Sequence, residues 1–127
     1  MKKNKKIFSV GIIGCGFIGH KRAKSLGSGG NLVACADIDL KKAEALAEAY
    51  GARAFDSWSG LLKMPEVEIV IVSTLHNSLA EITLAAAKSG KHVLVEKPAA
   101  RSAKELEKII PLVKEFNTKI RVGFNQH

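Results

Sequence analysis

The sequence predicts an α/β fold, a doubly wound and mainly parallel six-stranded sheet with helices on both faces. Three observations carry it. Apolar β-branched runs alternate with helix-like stretches along the whole chain, joined by short connections. The first such run ends in Gly14-Cys15-Gly16-Phe17-Ile18-Gly19, a G-x-G-x-x-G spacing at a strand-to-helix turn. The run Val67-Glu68-Ile69-Val70-Ile71-Val72-Ser73 is apolar on both faces, as strands buried between two helical layers are.

Taken in order, residues near 6–13 read as the first strand and Phe17 to Leu26 as a helix ended by Gly27. Residues 32–36 form the second strand, and Asp37 stands at its carboxyl end. Asp39 is placed to cap the helix over 40–49, which closes at Tyr50-Gly51 with a glycine C-cap. Ala52 to Phe55 is a short edge strand, and Ser57 to Lys63 a helical turn or two before Pro65. Strand 67–73, helix 78–89 ended by Gly90, strand 91–95, helix 102–116 and strand 119–124 complete the alternation.

Composition bounds the function. A chain of 127 residues with 46% hydrophobic content buries one core, so one domain is expected over 1–127. The formal charge of +8 suggests nucleic acid, but Lys2, Lys3, Lys5 and Lys6 supply half of it from a short basic tail, residues 1–6. Elsewhere the basic residues are interleaved with glutamate, as in Lys104-Glu105-Leu106-Glu107-Lys108, and no aromatic-laced basic patch accompanies them. Nucleic acid is not the expected partner. A lysine-rich start followed by Ile12-Ile13-Gly14-Cys15 resembles a lipoprotein leader, yet processing there would remove the first strand. No stretch reaches the roughly 18 apolar residues of a membrane span. A cytoplasmic protein without a membrane partner is expected. Cys15 and Cys35 have no metal spacing and read as reduced, packed thiols, although neighbouring strands would make a disulfide geometrically conceivable. The histidines at 20, 76, 92 and 127 share no helix face, so no metal site is expected.

The glycine spacing predicts a dinucleotide site. Gly14 suits the abrupt turn, Gly16 lets backbone approach a pyrophosphate, and Gly19 lets helix and strand pack closely. The anion would rest on the N–H groups of the first helical turn, which Phe17 and Ile18 open. Asp37 can accept hydrogen bonds from the adenosine ribose and repel a 2′-phosphate, which favours NAD; its other reading is a turn residue. Lys41 and Lys42 keep NADP open. In a sheet of this Rossmann type, ligands bind beyond the carboxyl ends of the strands. Ser73, Thr74, His76, Glu96, Lys97 and Asn125 all fall there. Ser73 and Thr74 can also simply end the strand and cap the next helix, the reading that suits Ser73 better, while Thr74 is the candidate to touch the cofactor.

The stretch Gly90-Lys91-His92-Val93-Leu94-Val95-Glu96-Lys97-Pro98, preceded by the glycine pattern and followed by Val122-Gly123-Phe124-Asn125, closely resembles the glucose-fructose oxidoreductase, inositol dehydrogenase and rhizopine-catabolism family, Gfo/Idh/MocA. The resemblance runs along essentially the whole chain. It implies a two-domain oxidoreductase that moves a hydride between NAD or NADP and a carbon of a sugar, cyclitol or related polyol. It also implies that Lys97 is catalytic, reaching the substrate hydroxyl and the nicotinamide, that Glu96 orients Lys97 or a cofactor group, and that Pro98 is a turn proline open to a cis bond. Where the family commonly has proline, asparagine and histidine after the strand-four threonine, this chain has Leu75, His76 and Leu79. His76 is then either a cofactor or substrate contact or a solvated loop histidine.

Relatives continue past the sixth strand into a substrate domain that supplies an aspartate and a histidine. Against that pattern the chain is expected to be truncated, to bind cofactor and to be inactive alone. A non-catalytic dinucleotide sensor or scaffold is the alternative. A homo-oligomer stays open, because the second domain of relatives often carries the subunit interface.

Overall fold

A computed structural model describes residues 7–74, 79–96, 100–116 and 118–122. Strand β1 (Phe8–Ile13) leads into helix α1 (Phe17–Lys24), then β2 (Gly30–Ala36), α2 (Leu40–Tyr50), β3 (Arg53–Phe55) and the short α3 (Trp58–Leu62). The second half runs β4 (Ile69–Val72), α4 (Leu79–Lys88), β5 (His92–Val95), α5 (Ala100–Val113) and β6 (Ile120–Val122). The six strands form one sheet in the order β3-β2-β1-β4-β5-β6, and every described pairing is parallel. Because β1 lies between β2 and β4, the two halves of the chain part company between β1 and β4, which opens a crevice at the carboxyl ends of those strands.

Alternation along the strands sends side chains to two cores. Val10, Ile12, Leu32, Cys35 and Ile71 meet Ala23 of α1 and Ala43, Leu46 and Ala47 of α2 on one face. Ile13, Ala34, Val70, Val72, Val93 and Val95 meet Leu61, Ile82, Ala86 and Leu106 on the other, under α3, α4 and α5. Helices therefore cover both faces, as the near-continuous apolar strands require. In the β1–β2 pairing the register slips between Val10 and Gly11, which pair with Leu32 and Ala34. Val33 and Ala34 consequently share the same core.

Element ends differ from expectation by a few residues. The strand expected over 67–73 is regular over Ile69–Val72; at its start the Val67 N–H turns onto the Met64 carbonyl at 3.2 Å, while the Glu68 and Ser73 N–H groups still donate to the Ser9 and Ile13 carbonyls of the β1 side at 2.8 Å. Helix α1 stops at Lys24, two residues early, where the Ser25 hydroxyl donates to the Lys21 carbonyl. Gly27 then enters a short 3-10 turn with φ +63°. Helix α5 starts at Ala100 rather than 102 and contains Pro111. Asp39 caps α2 by accepting from the Lys41 N–H at 3.1 Å, and Gly51 closes it with φ +69°.

Lys91 pins the base of the sheet, at the end opposite the crevice. It is 3% exposed, and its Nζ donates to the carbonyls of Met64 at 2.7 Å and Val67 at 2.9 Å. Lys91→Met is expected to destabilise the fold by about 1–3 kcal/mol in urea titrations, since the Val67 carbonyl loses its partner in a buried position. Burial holds the Lys91 ammonium below its ordinary pKa of 10.5. A group depressed on folding adds stability that is present above its unfolded pKa and lost as pH falls through the folded value. The gap between wild type and Lys91→Met should therefore widen as pH rises toward 10.5.

Candidate functional site

The glycine turn is built from contacts that leave little choice of residue. Its first glycine, Gly14, has φ +97°, and its N–H donates to the Ala36 carbonyl at 2.8 Å, so the loop is clamped to the end of β2. A Cβ on Gly14 would lie 2.8 Å from the backbone of Ser73 and Thr74 at the end of β4. On Gly19 a Cβ would press into the Gly14 carbonyl oxygen, so α1 packs directly on its own entry loop. Gly16 is different: nothing lies within 4 Å of where its Cβ would point. It is also the N-cap of α1, with no side-chain cap, whereas α2 and α3 are capped by Asp39 and Ser57. Phe17 is 80% and Ile18 38% exposed, leaving this helix end open to solvent. A bare, uncapped helix start beside an open backbone cradle fits a pyrophosphate.

Asp37 organises one flank. One carboxylate oxygen accepts from the Cys15 N–H at 2.8 Å and the other from the Asp39 N–H at 2.8 Å, which ties the glycine loop to the end of β2. An ionised carboxylate has about four acceptor sites, so lone pairs remain for ribose hydroxyls. Asp37 lines a cavity of about 190 Å³ together with Gly14, Ile38, Trp58 and Thr74. Ile38 and Trp58 were not singled out from the sequence. Ile38 is 74% exposed directly after Asp37, and an isoleucine beside a polar turn is the feature that could have marked it. Trp58 is the one tryptophan of the chain, packed from α3 against the core.

Ser73 holds the loop from the other side. Its hydroxyl donates to the Gly14 carbonyl at 2.7 Å and reaches the Ile13 carbonyl at 3.2 Å. That bond ties the end of β4 to the glycine turn. Thr74 follows in the cavity wall.

On the far flank, Glu96 directly follows β5, its N–H donating to the Val72 carbonyl at 3.0 Å. Both its carboxylate oxygens are taken by Arg22 of α1, one by Nε and the other by Nη2 at 2.9 Å. Glu96 accordingly raises the Arg22 pKa above its ordinary value. Arg22 was not singled out from the sequence either; its place one residue before buried Ala23 on α1 was the available hint. Lys97, His76 and Asn125 lie outside the described residues, as does Pro98.

Cys15 and Cys35 are both buried free thiols. Cys15 donates to the Ala36 carbonyl at 3.3 Å; a hydrogen bond with Cys35, then burial, push its pKa up, so it stays protonated and packed. Among the described residues, no group of three or more His, Cys, Asp or Glu side chains could hold a metal ion, and no helix is long and apolar enough to cross a membrane.

Comparison with known proteins agrees with this geometry. The family model for Gfo/Idh/MocA, described as oxidoreductase family, NAD-binding Rossmann fold, matches residues 8–124. An inositol 2-dehydrogenase of Rubrobacter xylanophilus is 34% identical over 98% of this chain and 37% of its own. An inositol 2-dehydrogenase/D-chiro-inositol 3-dehydrogenase of Lactiplantibacillus plantarum is 33% identical over 95% of this chain and 36% of its own. Among solved structures, levoglucosan dehydrogenase in complex with NADH and levoglucosan superposes with a TM-score of 0.78 at 28% identity, covering 92% of this chain and 34% of that one. The chain thus spans little more than a third of the length of these relatives.

Proposed function

Since the chain belongs to the Gfo/Idh/MocA oxidoreductase family and carries its NAD-binding Rossmann fold, we propose that it forms the cofactor half of a dehydrogenase acting on a sugar, cyclitol or related polyol. The observation that carries this reading is the pairing of bare Gly16 at the uncapped start of α1 with Asp37, whose carboxylate is fixed by two backbone N–H groups in the cavity wall. A fixed carboxylate offers acceptors to the ribose hydroxyls and repels a 2′-phosphate, so NAD is the preferred cofactor. Gly14, Gly16, Phe17, Ile18 and Gly19 supply the pyrophosphate cradle, with Thr74 beside it. His76 and Asn125 belong to this reading as contacts on the nicotinamide side.

Bound NAD supplies the hydride acceptor. The chain's own part in the chemistry falls to Lys97, which follows Glu96 at the end of β5. A carbinol carbon gives up hydride only as its hydroxyl passes its proton to a base, a part this reading leaves to the histidine that relatives carry in their second domain, and a lysine ammonium beside that oxygen stabilises the developing negative charge. The inositol and levoglucosan specificities of the relatives motivate a polyol substrate.

Saturating NADH is expected to raise the melting temperature, as a ligand that binds only the folded state must. Asp37→Ser should weaken NADH binding and narrow the preference over NADPH by about 1–3 kcal/mol. A melting curve unmoved by NADH and NADPH alike would remove the cofactor reading, and an unchanged NADH to NADPH ratio in Asp37→Ser would remove Asp37 from the ribose site.

A further inference from the structure

We propose that Arg22 is a positioning residue for the nicotinamide side of the site, acting through Glu96; the inference rests on the dinucleotide reading proposed for this chain. In the sheet, β4 lies between β1 and β5. The Arg22–Glu96 pair therefore reaches from α1, the helix that opens on the glycine turn, across the carboxyl end of β4 to the carboxyl end of β5. Asp37 stands on the opposite side of β1, at the end of β2. A dinucleotide with its ribose on Asp37 and its pyrophosphate on the glycine turn has only one direction left, toward the ends of β4 and β5. That is the ground the ion pair spans.

The geometry suits a brace. Nε and Nη2 of one guanidinium engage both oxygens of one carboxylate, an arrangement that fixes direction as well as distance. The side chains are 34% and 18% exposed, so the pair is screened less than a surface ion pair would be. Arg22 thus sets where the end of β5 stands relative to the glycine turn.

The test compares NADH with ADP-ribose, which shares the adenosine and pyrophosphate but lacks the nicotinamide, by titrating the full-length protein with each. In Arg22→Gln and in Glu96→Gln, NADH affinity is expected to fall about tenfold while ADP-ribose affinity stays within about twofold, and Arg22→Lys should recover at least part of the NADH loss. Selective loss in both glutamine variants supports the brace. Equal loss of both ligands would reduce the pair to a fold contact and overturn the proposal, as would undiminished NADH binding or selective loss in only one variant. Wild-type protein that binds neither ligand would overturn the dinucleotide reading itself, and this inference with it.

Discussion

Lys97→Ala in the full-length protein is expected, on the proposed function, to lower kcat for polyol oxidation by on the order of 100-fold or more. The lost ammonium acts mainly where negative charge develops on the substrate oxygen, so the deficit belongs to the transition state rather than to binding. NADH affinity should move by less than about threefold, because the glycine turn, Asp37 and the Arg22–Glu96 pair are all left in place. Steady-state kinetics with a direct NADH titration checks both parts. Near-normal kcat would remove Lys97 from the chemistry, and a collapse of NADH binding would make it a cofactor anchor instead.

Gly19→Ala is expected to be the most damaging single methyl that can be added to the glycine turn. The new Cβ meets the Gly14 carbonyl oxygen, which is backbone and cannot swing aside, and the loop that must move is already held by Ala36, Asp37 and Ser73. Overpacking of this kind costs about 1–3 kcal/mol or more of stability. Shifting α1 off the loop should also weaken NADH binding by at least about tenfold, since the helix start is the anion seat in the proposed function. Gly16→Ala makes the control, because its Cβ enters open space and should leave the melting temperature nearly unchanged while interfering with NADH. Equal stability of Gly19→Ala and wild type would contradict the close packing of α1 on its entry loop.

Much of this architecture is legible in the chain itself, because the features concerned are local. The strand-like runs, the G-x-G-x-x-G turn and Asp39 as a helix cap each follow from residues within a few positions of one another. The separate duties of Gly14, Gly16 and Gly19 are legible for the same reason: a positive φ, an open approach and a close packing distance are demands on one residue each. Even the order of elements implies the parallel sheet, since strand, helix and strand in alternation can close only by crossovers.

The partners of the site residues are not legible in this way. Ser73 can be read as a cap for the helix that follows it, but the sheet order sets β4 beside β1, and its hydroxyl bonds the Gly14 carbonyl 59 residues away. Asp37 can be read as a ribose acceptor without any hint that one of its oxygens binds the Cys15 N–H, a contact made only once β2 and the glycine turn lie side by side. Arg22 sits among other basic residues at the end of α1, and only the closing of the sheet brings it to Glu96, 74 positions on. Which segments become strands and helices, and where the backbone can turn and open, follows from the chain alone, because propensity, periodicity and glycine act over a few residues. Which side chains hold the loop, and which one reaches Glu96 after β5, depends on the folded sheet, because a hydrogen bond depends on final distance, and the order β3-β2-β1-β4-β5-β6 brings residues together regardless of their separation in the chain.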